Sequence, residues 1–366
     1  MKARLIFIGT AIAVLALIGA SRGIAAEKPI VLKMQTPVPT TSVIYENFKM
    51  YADKVEQMSG GRIKIEALPS GAVVGAFEIL DAVSRGVLAG GHYWVGYSMG
   101  KNPAAALLAG APAGTWGMDQ LDYYGWIFEG GGMELFQEFY DHVKSNVHAV
   151  GPVAGVGPQM LGWFKKPITS LEEFKKMKYR VPGLAADVYR SMGVSVVTLP
   201  GGEVLPAGER GVIDGAEWLS PADDIKMGFH TIWKYMHAPA FHDYVPTWDI
   251  IINKDIWKKL PPDLQSIMKE AATATALRHW VNLMRQNAEA LTKLKELGVT
   301  TVRTPPEINA AFLEHWKKVA AEFSAKDAFF KKVFDSQKKY AKLLSSYRLH
   351  GPPPYEFAAK YFAESE

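Results

Sequence analysis

Lys178-Tyr-Arg-Val-Pro-Gly-Leu-Ala-Ala-Asp-Val-Tyr-Arg-Ser-Met-Gly-Val-Ser-Val-Val-Thr-Leu199 contains the unit from which the fold is built. Lys178 to Val181 reads as a strand that Pro182 and Gly183 must end. Leu184 to Met192 follows as a helix, and Val194 to Leu199 as the next strand. Strand–helix–strand order of this kind makes crossover units and a mostly parallel sheet, so the fold class is α/β. The first strand carries a permanent cation, Arg180, to its end. A second segment, Gly211-Val-Ile-Asp-Gly-Ala-Glu-Trp-Leu-Ser-Pro221, carries Glu217 after two small residues and just before Trp218. A cation and a carboxylate at strand ends, beside a large aromatic, suit a site for a small anion together with a cation. They suit a structural Arg–Glu ion pair at a domain edge equally well, and spacing alone does not choose.

The same alternation runs outward in both directions. Ile30 to Thr36 reads as a first strand. Ile44, Phe48, Tyr51, Val55 and Met58 then trace one face of a helix that Ser59-Gly-Gly61 stops. Arg62-Ile-Lys-Ile-Glu-Ala67 alternates as a half-buried strand should. Phe77 to Arg85 is a short helix before Gly86-Val-Leu-Ala-Gly-Gly-His92. Downstream, Glu203 to Glu209 is helical and leads to the Asp214–Trp218 strand. Trp248-Asp-Ile-Ile-Ile252, within Asp243 to Asn253, reads as a strand returning to the first lobe. The tail from Pro262 to Tyr347 reads as helical, with one stripe at Leu277, Val281, Met284, Ala288 and Leu291. A second stripe holds Trp316, Val319 and Phe323 and is extended by Phe330, Val333 and Phe334. The resulting expectation is a lobe at 27–150 joined by the return strand 243–253, a second lobe at 151–242, and a helical region at 254–366.

Composition narrows the function. Met1-Lys-Ala-Arg4, an apolar run from Leu5 to Ala20 and the small residues Gly23, Ala25 and Ala26 make residues 1–26 a signal peptide cleaved after Ala25 or Ala26. A membrane anchor is the competing reading, and the run falls a little short of a spanning helix. Without Lys2, Arg4 and Arg22, Lys+Arg falls from 41 to 38 against 37 acids, so the net charge drops from +4 to about +1. Such a chain gives no reason to expect a nucleic-acid partner. There is no cysteine, which excludes disulfides, thiol nucleophiles and thiolate metal sites.

Several stretches then carry a family likeness in their order and spacing. These include Ser59-Gly-Gly-Arg62, Leu68-Pro-Ser-Gly71, Phe77-Glu-Ile-Leu-Asp-Ala-Val-Ser-Arg-Gly86 and Gly100-Lys-Asn-Pro-Ala104. Further on come Gly130-Gly-Gly-Met-Glu-Leu135, Gln159-Met-Leu-Gly-Trp-Phe164, Tyr179-Arg-Val-Pro-Gly183, Leu199-Pro-Gly-Gly-Glu203 and Ile213-Asp-Gly-Ala-Glu-Trp218. Over nearly the whole mature chain the sequence resembles the solute-binding subunit of tripartite ATP-independent periplasmic (TRAP) transporters, in the branch that binds 2-oxo acids and other monocarboxylates. The resemblance implies a two-lobed periplasmic protein with a ligand cleft between the lobes, no enzymatic activity and a membrane permease as partner. It implies that Arg180 grips the ligand carboxylate, and that sodium or calcium is held by Gln159, Glu217, the backbone carbonyl of Trp218 and Asp243. All-oxygen coordination fits those hard ions, and His237 and His242 are read as structural donors. The branch includes dimers that exchange a C-terminal helix, a role open here to Trp316, Phe330 and Phe334 if they are exposed.

Three positions depart from the pattern. Asp243 stands where the resemblance leads to Glu, Leu161 where Gly is frequent, and Pro221-Ala-Asp-Asp224 where an aromatic and an asparagine are more usual. Ala222 leaves room for a bulkier acid, and Trp94, Tyr97 and Trp116 read either as an apolar wall for it or, equally, as ordinary core aromatics. The competing class is an exported metal-dependent enzyme using Glu217, Asp243 and Asp224 as acid and base. No nucleophile elbow, zinc-binding helix motif or phosphate-binding glycine loop supports it. A sensory subunit presenting bound ligand to a receptor is also open.

Overall fold

The computed structural model describes residues 28–110, 116–351 and 355–364. The signal-peptide segment 1–26 lies outside the described residues. Two sheets organise the chain. The first has the order β2-β1-β3-β10-β4, from Ile63–Leu68 (β2), Ile30–Gln35 (β1), Gly90–Tyr93 (β3), Thr247–Asn253 (β10) and Val147–Gly155 (β4). β1 is parallel to β2 and β3, whereas β10 is antiparallel to β3 and β4. Every residue of β10 is buried, as expected of a strand inserted mid-sheet from late in the sequence.

The helix Val43–Met58 makes the crossover from β1 to β2. Its start is fixed by Ser42, whose hydroxyl accepts the Ile44 amide at 3.1 Å. Val43, Ile44, Phe48, Tyr51 and Val55 form its buried face, and Gly60 and Gly61, both at positive φ, end it.

The second sheet has the order β11-β9-β5-β8-β6-β7. Its strands are Thr300–Arg303 (β11), Tyr235–Ala238 (β9), Gly162–Phe164 (β5), Gly215–Ala216 (β8), Lys178–Arg180 (β6) and Ser195–Val197 (β7). β6 pairs in parallel with both β7 and β8, so the stretch quoted first is indeed a crossover unit. Glycine is required at Gly162, where a Cβ would lie 2.4 Å from the Ala216 carbonyl oxygen.

The tail departs from the sequence expectation in three ways. It is not wholly helical, because β11 interrupts it and joins β9 in parallel. The helix Pro262–Glu296 stops at Gly298, whose φ of 76° suits only glycine without strain, and the β-branched run after it completes the sheet edge. Second, the stripe Leu277, Val281, Met284, Ala288 and Leu291 faces outward, with Leu277 57% exposed. The buried face is Met268, Ala271, Ala272, Ala276, Leu283, Ala290 and Leu294. Both faces satisfy the helical period, and the one rich in alanine is the one that packs, because small side chains let the helix lie close to its neighbours. Third, Trp316 and Phe330 are buried and Phe334 is half-buried, packed edge-on against both Trp316 and Trp116. Among the described residues, the large apolar side chains left exposed near this end are Leu343, Tyr347, Leu349, Tyr355, Phe357 and Tyr361. Among the described residues no helix is long and apolar enough to cross a membrane.

Candidate functional site

Two connecting segments, 156–161 and 239–246, carry the chain between the sheets and run side by side. The Val156 amide donates to the Pro246 carbonyl at 3.2 Å, and the Gln159 amide to the Asp243 carbonyl at 3.0 Å. This pairing sets the Gln159 and Asp243 side chains at the crossover. Arg180 ends β6, opposite Ala216 of β8, so Glu217 emerges beside it and its amide donates to the Arg180 carbonyl at 3.2 Å. The geometry follows from strand register alone: neighbours in a parallel pair present their ends at the same edge.

All five sequence-derived site residues, Gln159, Arg180, Glu217, Trp218 and Asp243, line a single cavity of about 30 Å³. Trp94 and Tyr97 are in its wall too. Val38, Pro182, Leu219, Pro246 and Trp248 complete it, and no motif in the sequence marks these five as part of a site. Trp116 is elsewhere: it packs on Phe334 with the Lys338 ammonium over its ring at 5.4 Å, so it is not part of the wall. Leu161 is buried and uses its carbonyl to accept the Tyr179 hydroxyl. His237 accepts the Ile168 amide and His242 bonds the Tyr189 hydroxyl. Burial lowers both imidazoles, to about 4 and about 3, and both serve as structural partners.

Arg180 and Glu217 are paired directly, each with a side chain 2% exposed. The Arg180 Nη1 donates to Glu217 Oε1, while Nε and Nη2 donate to the Leu199 carbonyl at 3.1 and 2.6 Å. The guanidinium also lies 5.7 Å from the Trp218 ring centroid, within cation–π range. The ion-pair reading of the sequence is thus realised in the geometry. Burial raises the Glu217 carboxyl to about 7 against the opposing pull of Arg180. Burial, with Glu217 nearby, holds Asp243 well above the usual carboxylate range.

Four buried polar atoms on residues of this cavity have no hydrogen-bond partner among the described residues. Two are acceptors, Gln159 Oε1 and Asp243 Oδ1, and two are donors, the indole N–H groups of Trp94 and Trp248. Buried polar groups are rarely left unsatisfied, so such a concentration marks a place where something else supplies the partners. Orphan oxygens together with the Glu217 carboxylate match the preferences of a hard cation. Among the described residues no three His, Cys, Asp or Glu side chains gather closely enough to hold a metal by themselves. The amide of Gln159, backbone carbonyls and ligand oxygens would have to complete any such shell.

Asp224, a candidate acid or base by sequence, is not on the cavity wall. It is fully buried, accepting the Trp163 indole at 2.6 Å and the Leu219 and Ser220 amides at 3.3 and 3.1 Å. Its oxygens hold the loop after Glu217 in shape.

The model of bacterial extracellular solute-binding protein, family 7, matches residues 34–327. The chain belongs to this family. As a family 7 protein of the DctP type, a TRAP transporter solute-binding subunit, it is 34% identical over 325 residues to a monocarboxylate 2-oxoacid-binding periplasmic protein of Nostoc sp. That match covers 88% of this chain and 87% of the other. A TRAP solute-binding protein of Bordetella bronchiseptica is 27% identical, with a TM-score of 0.87 over 93% of this chain and all of that one. It was solved as a mixed-occupancy dimer with calcium and picolinate in an active site. A Pseudoalteromonas atlantica protein with sodium and pyruvate is 29% identical, with a TM-score of 0.81 over 93% of this chain and all of that one. One from Colwellia psychrerythraea, holding calcium and pyruvate, is likewise 29% identical, with a TM-score of 0.82 and the same coverage. These matches place the fold as the two-lobed α/β architecture of TRAP solute-binding proteins, with a helical C-terminal region.

Proposed function

We propose that this family 7 protein binds a short monocarboxylate of the 2-oxo acid kind, together with a sodium or calcium ion, in the cavity around Arg180. The observation that carries the reading is the complementary set of unpartnered atoms there: two acceptors for a cation and two donors for ligand oxygens, beside a buried guanidinium. A wall made largely of Val38, Trp94, Tyr97, Trp218, Leu219 and Trp248, with few polar groups, favours a compact acid over a polyhydroxylated sugar acid. The relatives that hold calcium or sodium with pyruvate or picolinate support the same class.

The side chains divide the work by charge. Arg180 presents parallel donors that match a carboxylate, which lysine lacks. Glu217, now held by Arg180, is placed to turn one oxygen to the ion as the ligand carboxylate takes its place at the guanidinium. Gln159 Oε1 and Asp243 Oδ1 supply further oxygens from the crossover segments, and the Trp218 carbonyl completes the protein's share. The cation, when bound, neutralises the carboxylates and polarises the ligand oxygen it touches. Trp94, Tyr97, Trp218 and Trp248 exclude water and strengthen each of these interactions.

Residues 1–26 direct export to the periplasm in this reading, and the loaded protein delivers its ligand to a membrane permease without chemical change. The exposed Tyr355, Phe357 and Tyr361 of the helix Tyr355–Glu364 support a dimer made through this end of the chain, in place of Trp316, Phe330 and Phe334. An enzymatic reading loses one of its carboxylates, since Asp224 is committed to the loop. Calorimetry with pyruvate in buffers with and without sodium or calcium tests the proposal, and turnover of the acid would contradict it.

A further inference from the structure

The helix Val43–Met58 of the first lobe begins at the cleft, and its first amide does not find its partner in its own lobe. The Val43 N–H donates to Asp223 Oδ1 at 2.6 Å. Asp223 lies 180 residues away, in the first turn of the helix Pro221–Met227, which follows β8 of the second sheet. Its other oxygen, Oδ2, accepts the indole N–H of Trp218. The carboxylate is 0% exposed, and both of its oxygens are thereby used. A carboxylate at a helix N-terminus meets unpaired amides and the positive end of the helix dipole, which is what makes burying it tolerable.

This one side chain joins three things. On the first lobe it completes the start of a 16-residue helix. On the second it belongs to the helix Pro221–Met227, whose Ala222 amide donates to Asn287 of the helix Pro262–Glu296 at 3.1 Å. In the cavity it fixes the indole that lies beside the Arg180 guanidinium. The indole is trapped from its other end by Gly201, where a Cβ would come within 2.0 Å of the Trp218 ring. Two weaker contacts cross between the lobes nearby: Lys226 to Glu46 at 2.5 Å and the Thr41 hydroxyl to the Met227 sulfur at 3.6 Å. The first is solvent-exposed at both ends and contributes little.

We propose that Asp223 is the positioning residue that fastens the lobes over the ligand, bridging the Val43–Met58 helix start and the Trp218 wall of the cavity. Its position matters because both carboxylate oxygens only accept, and together they serve the Val43 amide, the Trp218 indole and the Ser42 hydroxyl. Asparagine has one acceptor oxygen and an NH2 group in place of the other, so it leaves either the Val43 amide or the Trp218 indole unpaired. Ligand that settles against Trp218 and Arg180 therefore meets a wall already tied to the opposite lobe, and separating the lobes breaks a buried charge-assisted bond. The proposal rests on the two-lobed binding role given above and adds the residue that links occupancy to closure.

The chain has no cysteine, so Lys64→Cys and Lys176→Cys, both exposed and one in each lobe, provide the only sites for a spin-label pair. The distance between the labels is followed as pyruvate is added with calcium, in four backgrounds: wild type, Asp223→Asn, Asp223→Ala and Lys226→Ala. Both Asp223 variants are expected to need at least about tenfold more pyruvate for half-closure, the loss expected of one charge-assisted hydrogen bond. Lys226→Ala is expected to close within about twofold of wild type. A merely structural role for Asp223 would lower the melting temperature and leave the pyruvate concentration for half-closure unchanged. Asp223→Asn, close in shape to the original, keeps the test open if Asp223→Ala does not fold. Half-closure at the wild-type concentration in Asp223→Asn overturns the proposal. If wild type itself closes on no short acid, the functional reading fails separately. The label distances without ligand then decide: longer in the Asp223 variants supports the proposal, and identical to wild type overturns it.

Discussion

At the scale of single residues, the direct Arg180–Glu217 pair changes which substitution is informative. Arg180→Ala would strand Glu217 in a buried site, and breaking a buried pair costs about 3–5 kcal/mol, so lost binding and lost stability would be confounded. Arg180→Lys keeps the charge and removes the planar fork. We expect it to weaken pyruvate binding by about 10- to 100-fold in calorimetry while the protein remains folded. Undiminished affinity would take Arg180 out of the site. The raised carboxyls give a second expectation. Glu217 binds a proton up to about pH 7 in the folded protein but only up to about 4.5 when unfolded, and Asp243 shifts in the same direction. The folded state thus holds more protons in that window, and stability falls as pH rises through it. An ion that holds the charged forms reverses this, so the melting-temperature gain from added calcium should grow between pH 5 and pH 8. A gain that shrinks with rising pH would remove these carboxylates from the ion site. That the five candidate residues share one cavity was legible because each is a polar or aromatic residue inside a recognisable motif. Val38 and Trp248 were not, because they reach the cavity from strand ends of the first sheet, where nothing in the local sequence distinguishes a wall from a core.

At the scale of elements, the strand–helix–strand pattern was readable wherever turn residues punctuate it, as at Pro182-Gly183 and Ser59-Gly-Gly61. It failed on the long helix Pro262–Glu296, because an apolar period gives a face only if one face is apolar. Here the large side chains Leu277, Val281 and Met284 point outward and the alanines point in. The difference is measurable. Leu283→Ala, at a side chain 1% exposed, should cost about 2–5 kcal/mol in urea unfolding, and Leu277→Ala no more than about 0.5 kcal/mol. The reverse order would return the helix to the orientation read from the sequence. β11 is not legible for a related reason: four residues between two helices are too few to establish a period of two, and only Gly298 and the β-branched run beyond it mark the change.

At the scale of the whole molecule, the return strand β10 and the paired crossover segments explain why the site lies where it does. Gln159 and Asp243 sit on the connections between lobes, Arg180 and Glu217 on the second lobe, and Trp94 and Trp248 on the first, so an acid bound in this cavity as proposed would touch both lobes and their connections. Such an arrangement gives ligand a preference for the closed state, which is what a population shift requires. The exposed aromatic helix at the far end should govern assembly. A chain ending at Gly351 is expected to run as a monomer in light scattering while the full mature chain runs as a dimer, and equal masses would dissociate that helix from assembly. The most direct test of the central claim is calorimetric titration of pyruvate into protein freed of both sodium and calcium, repeated with each ion restored. Saturable one-site binding is expected with at least one ion restored, and at least about tenfold weaker binding without either. Equal affinity in all three buffers, or no binding in any, would contradict it.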